Sequence, residues 1–312
     1  VSPRQGSYAV HMATTLSLRC PAKINLALSV GPPDATHGGL HQIASWMTAL
    51  RFADELELTR LDDGDSEFTI AFEPVDNADG GTAVADWPLV DDLSFRAHHA
   101  LQAHVGRSLA VHVSLRKRIP AGAGLGGGSS NAGAMLCGLN KLFNLALPID
   151  TLRDIGATLG SDVPFFVDVE HTPAAMVSGF GDVIEPLPLH ETHHVVLALG
   201  PWPCPTGPVY GAFDELNPHP NAPDAARIRK LADQSPVPQD GPFNDLAEAA
   251  GRVEPALAQL LEQLRTELQL PAHVTGSGAG IFILSPNRNT AAATARRIHT
   301  QLNVRAVVTR TL

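Results

Sequence analysis

The stretch "PAGAGLGGGSSN" (120–131) holds five glycines, no lysine and two serines, and its reading decides the rest of the chain. Glycines let a backbone turn sharply and let main-chain N–H groups come close to a bulky anion. Upstream, "LAVHVSLRKRIP" alternates Val111, Val113 and Leu115 as a half-buried strand. Downstream, Ala132, Met135, Leu136, Leu139, Leu142 and Phe143 recur at helical spacing, with Ser129 or Ser130 as the expected N-cap. A strand, a glycine loop and a helix start thus follow one another. That order aims N–H groups and the positive end of a helix dipole at whatever lies in front.

Three readings compete for such a loop. The Walker pattern G-x-x-x-x-G-K-[ST] is absent, which excludes a P-loop NTPase. Gly122-x-Gly124-x-x-Gly127 satisfies the dinucleotide pattern, and Asp150 lies at roughly the right distance. Asp150, however, falls between two expected helices, whereas the acid of a dinucleotide fold ends a second parallel strand. A flexible loop without a ligand seldom concentrates glycine between a strand and a capped helix. Phosphate binding is the reading the pattern favours.

The bulk numbers describe a soluble globular protein rather than a disordered one. The chain has 312 residues, enough for two domains, with 44% hydrophobic and 17% charged residues. A net charge of -10 argues against a nucleic-acid footprint, which needs a basic face. Cys20, Cys137 and Cys204 are too few and too scattered for a disulfide framework or a zinc site, which predicts a reducing, cytoplasmic home. No stretch approaches a membrane span, so no membrane partner is expected. The opening "VSPRQGSYAVHM" lacks a signal-peptide layout. Residues 1–11 read as an expression scar, with Met12 as the natural start.

Along the chain, "LSLRCPAKINLALSV" (16–30) reads as a strand with a Pro-Ala-Lys kink, and "GPPDATHGG" (31–39) as a loop. "DELELTRL" and "EFTIAFEP" flank the turn signal "DDGDS" and predict a hairpin. Helices are expected over 91–105 and 149–159, and long connections or an insertion over the Pro-rich 201–242. From "HHVVLALG" onward the order strand, helix, strand, strand, helix, strand predicts an α/β plait.

"PAKIN" (21–25), "PAGAGLGGGSSN" (120–131), "LGSDVPFF" (159–166) and "TGSGAGIF" (275–282), in this order and at this spacing, resemble the GHMP kinases. The resemblance runs from Leu16 to Leu312. It implies a two-domain α/β (α+β) fold, with a ribosomal-protein-S5-like N-terminal domain over 12–172 and a ferredoxin-like plait over 173–312. It also implies an ATP-dependent small-molecule kinase using Mg²⁺, a monomer or weak homodimer. The branch resembled acts on a cytidine diphosphate alcohol, cytidine diphosphate methylerythritol. A homoserine or mevalonate type of kinase is the alternative enzyme, and a catalytically silent binding protein of the same fold the alternative class.

The resemblance assigns roles residue by residue. Asp162 matches the aspartate that takes the acceptor proton, although Ser161 and Asp162 before Pro164 also look like a helix cap. Lys23 matches the lysine paired with that aspartate. Asn25, two residues on, faces the same side of the strand and reaches acceptor or phosphate. Lys117, Pro120, Gly122, Gly124, Leu125, Gly126, Gly127, Gly128, Ser129 and Ser130 are the ATP-binding set, with no protein metal ligand assigned. Gly276 and Ser277 place small residues where a ligand or the glycine loop must come near; the alternative is a tight hairpin turn, which can do both jobs. For cytosine the expectation is Tyr210 on one face, Leu40 or Phe180 on the other, and His41 at the edge. Leu40 stands where the family has a tyrosine, and Asp92 where a nucleotide-side asparagine is common.

Overall fold

The structure is a computed structural model and describes residues 15–73, 83–84 and 87–312. The scar expected over 1–11 and the start expected at Met12 lie outside the described residues. The elements run β1 (Thr15–Asp34), β2 (Leu40–Arg60), β3 (Glu67–Phe72), β4 (Ala83–Val84), α1 (Leu93–Val105), β5 (Val111–Lys117), α2 (Gly127–Leu142), α3 (Ile149–Ala157), α4 (Val163–Val167), β6 (Ala174–Gly179) and β7 (Val183–Pro186). The second half continues with β8 (His194–Leu199), α5 (Thr206–Leu216), α6 (Ala225–Ala232), β9 (Phe243–Asn244), α7 (Ala247–Val253), α8 (Pro255–Thr266), β10 (Ala272–Val274), β11 (Ile281–Ser285), α9 (Arg288–Leu302) and β12 (Arg305–Arg310).

The first sheet follows the order β4-β3-β5-β2-β1-β9, with β6 and β7 joined through β2. β1 and β2 pair antiparallel almost throughout, and the register shifts between Pro21 and Lys23. Proline has no N–H for the ladder, so the expected kink becomes a bulge within one continuous strand. The loop expected at 31–39 shrinks accordingly, since β1 runs on to Asp34. α2 packs on this sheet with Met135, Leu136 and Leu139 against Leu56, Leu58, Val113 and Leu115. β6 and β7, which follow the boundary expected at 172, pair into this first sheet.

The hairpin expected from "DELELTRL" and "EFTIAFEP" does not form. β5 lies between β2 and β3, and β3 pairs with β5 in parallel. Alternation alone shows that a strand has one buried face; it does not say which neighbour pairs with it. The 201–242 tract is also more ordered than its prolines suggested, for it holds α5 and α6. Val209 and Phe213, then Ile228 and Leu231, bury at helical spacing within that polar background.

The plait forms as expected. β8, α8, β10, β11, α9 and β12 build a sheet of order β10-β11-β8-β12, with every neighbouring pair antiparallel. The two halves interlock, because β9 pairs in parallel with β1 at Ala27 and Leu28. Among the described residues, no helix is long and apolar enough to cross a membrane.

Candidate active site

The glycine loop lies where the two halves meet. Gly122, Gly124 and Gly126 have φ values of +70°, +66° and +70°, a region that side chains rarely adopt. Their carbonyl neighbours are held from several elements. The Gly122 carbonyl accepts from Cys204 N and Ala279 N, each at 3.2 Å, and the Ala123 carbonyl accepts from Gly280 N at 3.0 Å. Lys23 N donates to the Leu125 carbonyl at 2.9 Å.

The helix does not start at a serine cap. Gly126, in the left-handed conformation, is the N-cap of α2, and Ser130 N donates to its carbonyl at 2.8 Å. A left-handed glycine turns the chain into the helix without a side-chain cap. The N–H groups of Gly127, Gly128 and Ser129 therefore precede the first intrahelical bond, as orphan donors at a helix start do. They line a cleft of about 500 Å³ together with Pro120, Leu125 and Lys117. Ser130 is buried behind that rim, and its hydroxyl has no hydrogen-bond partner among the described residues.

Lys23, at the bulge in β1, lies directly against the loop: a Cβ on Gly126 would stand 3.1 Å from its Cγ. Its buried Nζ donates to Asn25 Oδ1 at 2.7 Å and lies 3.4 Å from Asp162 Oδ2. Asn25 is locked in turn: its Nδ2 donates to Ser45 Oγ at 2.8 Å, and its N–H donates to Thr275 Oγ1 at 3.1 Å. Asp162 stands at the N-cap position of α4 yet makes no side-chain cap bond. Its carboxylate is 27% exposed and thus open to the cleft as well as to Lys23.

"TGSGAG" does both jobs open to it. β10 and β11 flank it as a hairpin, and its backbone is pressed onto the glycine loop. A Cβ on Gly124 would lie 2.2 Å from the Thr275 carbonyl oxygen, and one on Gly280 would lie 2.4 Å from that of Ala123. Asn244 Nδ2 braces the turn by donating to the Val274 and Gly276 carbonyls at 2.9 and 2.8 Å. Gly276 and Ser277 face the cleft, and Ser277 Oγ lies 3.2 Å from Thr206 Oγ1.

Tyr210, on α5, reaches the same cleft. Burial pushes its hydroxyl well above the usual phenol range, with the Asp162 charge adding to the shift. His41 packs against it at 4.9 Å between ring centroids; one ring nitrogen meets the Gly31 carbonyl at 2.8 Å and the other lies 3.5 Å from Asp214. Phe180 stacks instead on His37 at 4.3 Å, and Leu40 is largely exposed. Asp92 caps α1 through Ser94 N and accepts from Trp87 Nε1 at 3.2 Å, so Trp87 and Leu93 form the far wall of the cleft.

Trp87 and Asp54 are among the residues here that escaped the sequence reading. Trp87 sits in a Pro-flanked stretch without periodicity and carries no signal. Asp54 carried one: it shares the buried face of β2 with Leu56 and Leu58, where an acid is rare. It is fully buried and accepts from Lys117 Nζ at 3.0 Å, so the Lys117 ammonium is paired inward while the residue still lines the cleft. Burial, then the Asp54 charge, pushes the neighbouring Cys20 thiol up to about 12, which keeps it neutral. Burial likewise pushes Cys137 up to about 12, as suits a small packing residue. Among the described residues, no group of three His, Cys, Asp or Glu side chains is placed to hold a metal.

Family comparisons agree with this geometry. The models for the GHMP kinases N terminal domain and the GHMP kinases C terminal domain match residues 92–168 and 219–304. The chain belongs to the GHMP kinase family. Within it, the 4-diphosphocytidyl-2-C-methyl-D-erythritol kinase of Polaromonas naphthalenivorans is 36% identical over 273 residues, covering 84% of this chain and 83% of that protein. The enzyme of the same name from Geobacillus kaustophilus is 33% identical, covering 86% and 87%. A crystal structure of 4-(cytidine 5'-diphospho)-2C-methyl-D-erythritol kinase superposes with a TM-score of 0.71 at 28% identity, covering 95% of this chain and 99% of that one. A homoserine kinase from Cytophaga hutchinsonii shares the fold, with a TM-score of 0.68 at 14% identity, covering 98% and 97%.

Proposed function

We propose that this ATP-dependent kinase phosphorylates the 2-hydroxyl of 4-diphosphocytidyl-2-C-methyl-D-erythritol, a step of the non-mevalonate route to isoprenoid precursors. One observation carries the reading: the Lys23–Asp162 pair and the helix-start residues Gly127, Gly128 and Ser129 line a single cleft. Phosphoryl transfer asks little else of a protein than positioning and charge stabilisation. The N–H groups of Gly127, Gly128 and Ser129 hold phosphate oxygens. Asp162 accepts the proton of the acceptor hydroxyl, and Lys23 orients that carboxylate and offsets charge at the attacking oxygen. Tyr210 supplies a flat surface for cytosine on the Asp162 side of the cleft, and His41 packs against that ring.

Mg²⁺ fits this site as an ion carried by the phosphates, where it neutralises charge on the transferred group. The buried Ser130 hydroxyl, which has no hydrogen-bond partner among the described residues, is the side-chain oxygen beside the loop that would meet a phosphate or a water of the ion. The deciding experiment is coupled ADP release with the cytidine diphosphate substrate beside homoserine and mevalonate. Turnover is expected with the cytidine substrate. Turnover with homoserine or mevalonate instead would replace the substrate, and none with any alcohol would point to a silent relative.

A further inference from the structure

We infer that Asp54 is a positioning residue for phosphoryl transfer: one buried carboxylate ties both stems of the glycine loop together and so sets the direction of its N–H groups. The inference rests on the reading of that loop as the phosphate site. Asp54 is completely buried, and a buried carboxylate is costly unless every lone pair is satisfied. Here each is. Oδ1 accepts from Arg118 N at 2.6 Å and Ile119 N at 2.8 Å. Oδ2 accepts from Lys117 Nζ and Asn131 Nδ2, each at 3.0 Å.

The placement of these donors gives the contact its consequence. Lys117, Arg118 and Ile119 lead directly into the loop, and Asn131 opens the second turn of the helix α2 that leaves it. Asn131 closes the ring, because its Oδ1 accepts from Lys117 Nζ. Between the two stems stand three glycines with positive φ, a backbone with unusual freedom. Donors that stabilise a transition state must already point at it, for reorganisation during the reaction lowers the rate. Asp54 does not itself line the cleft, so it acts through the residues it holds. Its charge stays beside the Lys117 ammonium, which keeps a bare anion away from the phosphates.

The test is Asp54→Asn together with the exchanged pair Asp54→Asn/Asn131→Asp. Asn at 54 still accepts both backbone N–H groups, but its own NH₂ then faces the donors of Lys117 and Asn131. In the exchanged pair that NH₂ donates to the carboxylate at 131, which also accepts from Lys117 Nζ; net charge returns, and of the five bonds only that from Lys117 to residue 54 stays lost. For Asp54→Asn, kcat/KM for ATP should fall on the order of 10²-fold, the usual effect of an ångström of misplacement. KM for the alcohol should not move, amide exchange should quicken over the loop, and the exchanged pair should recover part of the lost turnover. Should Asp54→Asn fail to fold, Asn131→Ala removes one tie and should give a smaller loss of the same kind. A lowered melting temperature with unaltered ATP kinetics, or a KM for the alcohol that rises as much as that for ATP, overturns the inference. Wild-type enzyme that neither binds nor turns over ATP overturns the phosphate reading and the inference with it.

Discussion

Replacing Gly124 with alanine separates backbone strain from the docking of two loops. At φ +66° an alanine is strained by about 1–2 kcal/mol. Its Cβ would also stand 2.2 Å from the Thr275 carbonyl oxygen and 2.9 Å from that of Gly278. Carbon and oxygen pack at about 3.3 Å or more, so one backbone must withdraw by about 1 Å. That withdrawal breaks the bonds from Gly280 N to the Ala123 carbonyl and from Ala279 N to the Gly122 carbonyl. Each contributes about 1 kcal/mol, giving a total near 3–4 kcal/mol, a large part of a typical stability of about 5–15 kcal/mol. Gly38→Ala is the control: its φ is +67° but nothing lies within 4 Å of the new Cβ, so only strain remains. Urea unfolding followed by tryptophan fluorescence compares the two variants, and ADP release reports on the loop. Equal destabilisation of both, or normal ATP turnover by Gly124→Ala, would refute the docking argument.

Asp162→Asn keeps size and polarity but cannot take a proton, so turnover should drop by on the order of 10²–10⁴ while calorimetry finds ATP still bound. Lys23→Met should lower the rate similarly; an unaltered rate would break the proposed pair. Tyr210→Ala should raise KM for the cytidine substrate roughly ten-fold, as loss of about 1–3 kcal/mol of base stacking implies, without changing KM for ATP. Burial holds the imidazoles of His98, His193 and His273 below their ordinary range. The unfolded chain then binds protons first, so stability present at pH 7 is lost as pH falls below about 6.5. Melting temperatures measured from pH 7.5 to 5 should decline through that window, and His98→Gln should flatten the decline; a curve that rises on acidification contradicts it.

The phosphate loop was legible in the sequence because its chemistry is local. Five glycines between an alternating strand and a helical run need no distant partner to be recognised. The plait was legible for a related reason, since its order of elements admits few unknotted packings. Lys23, Asn25 and Asp162 were read from short motifs, and the structure brings all three side chains together. The serine cap was misjudged because side-chain capping is only one way to begin a helix, and a left-handed glycine is another.

What the sequence by itself determined is therefore the local set: the turn-prone loop, the helix behind it, the strand ahead of it and the periodic faces that bury. Tertiary structure decided everything that depends on which segments meet. It placed β5 between β2 and β3, ran β9 beside β1, and pressed the Thr275–Gly280 turn onto a loop more than a hundred residues away. It also turned Asp54 from an odd acid on an apolar face into the clasp of the glycine loop. The physical reason is that a residue's own torsional and hydration preferences act within a few positions of chain. Its partners are chosen only when the whole core closes and each buried polar group must find one.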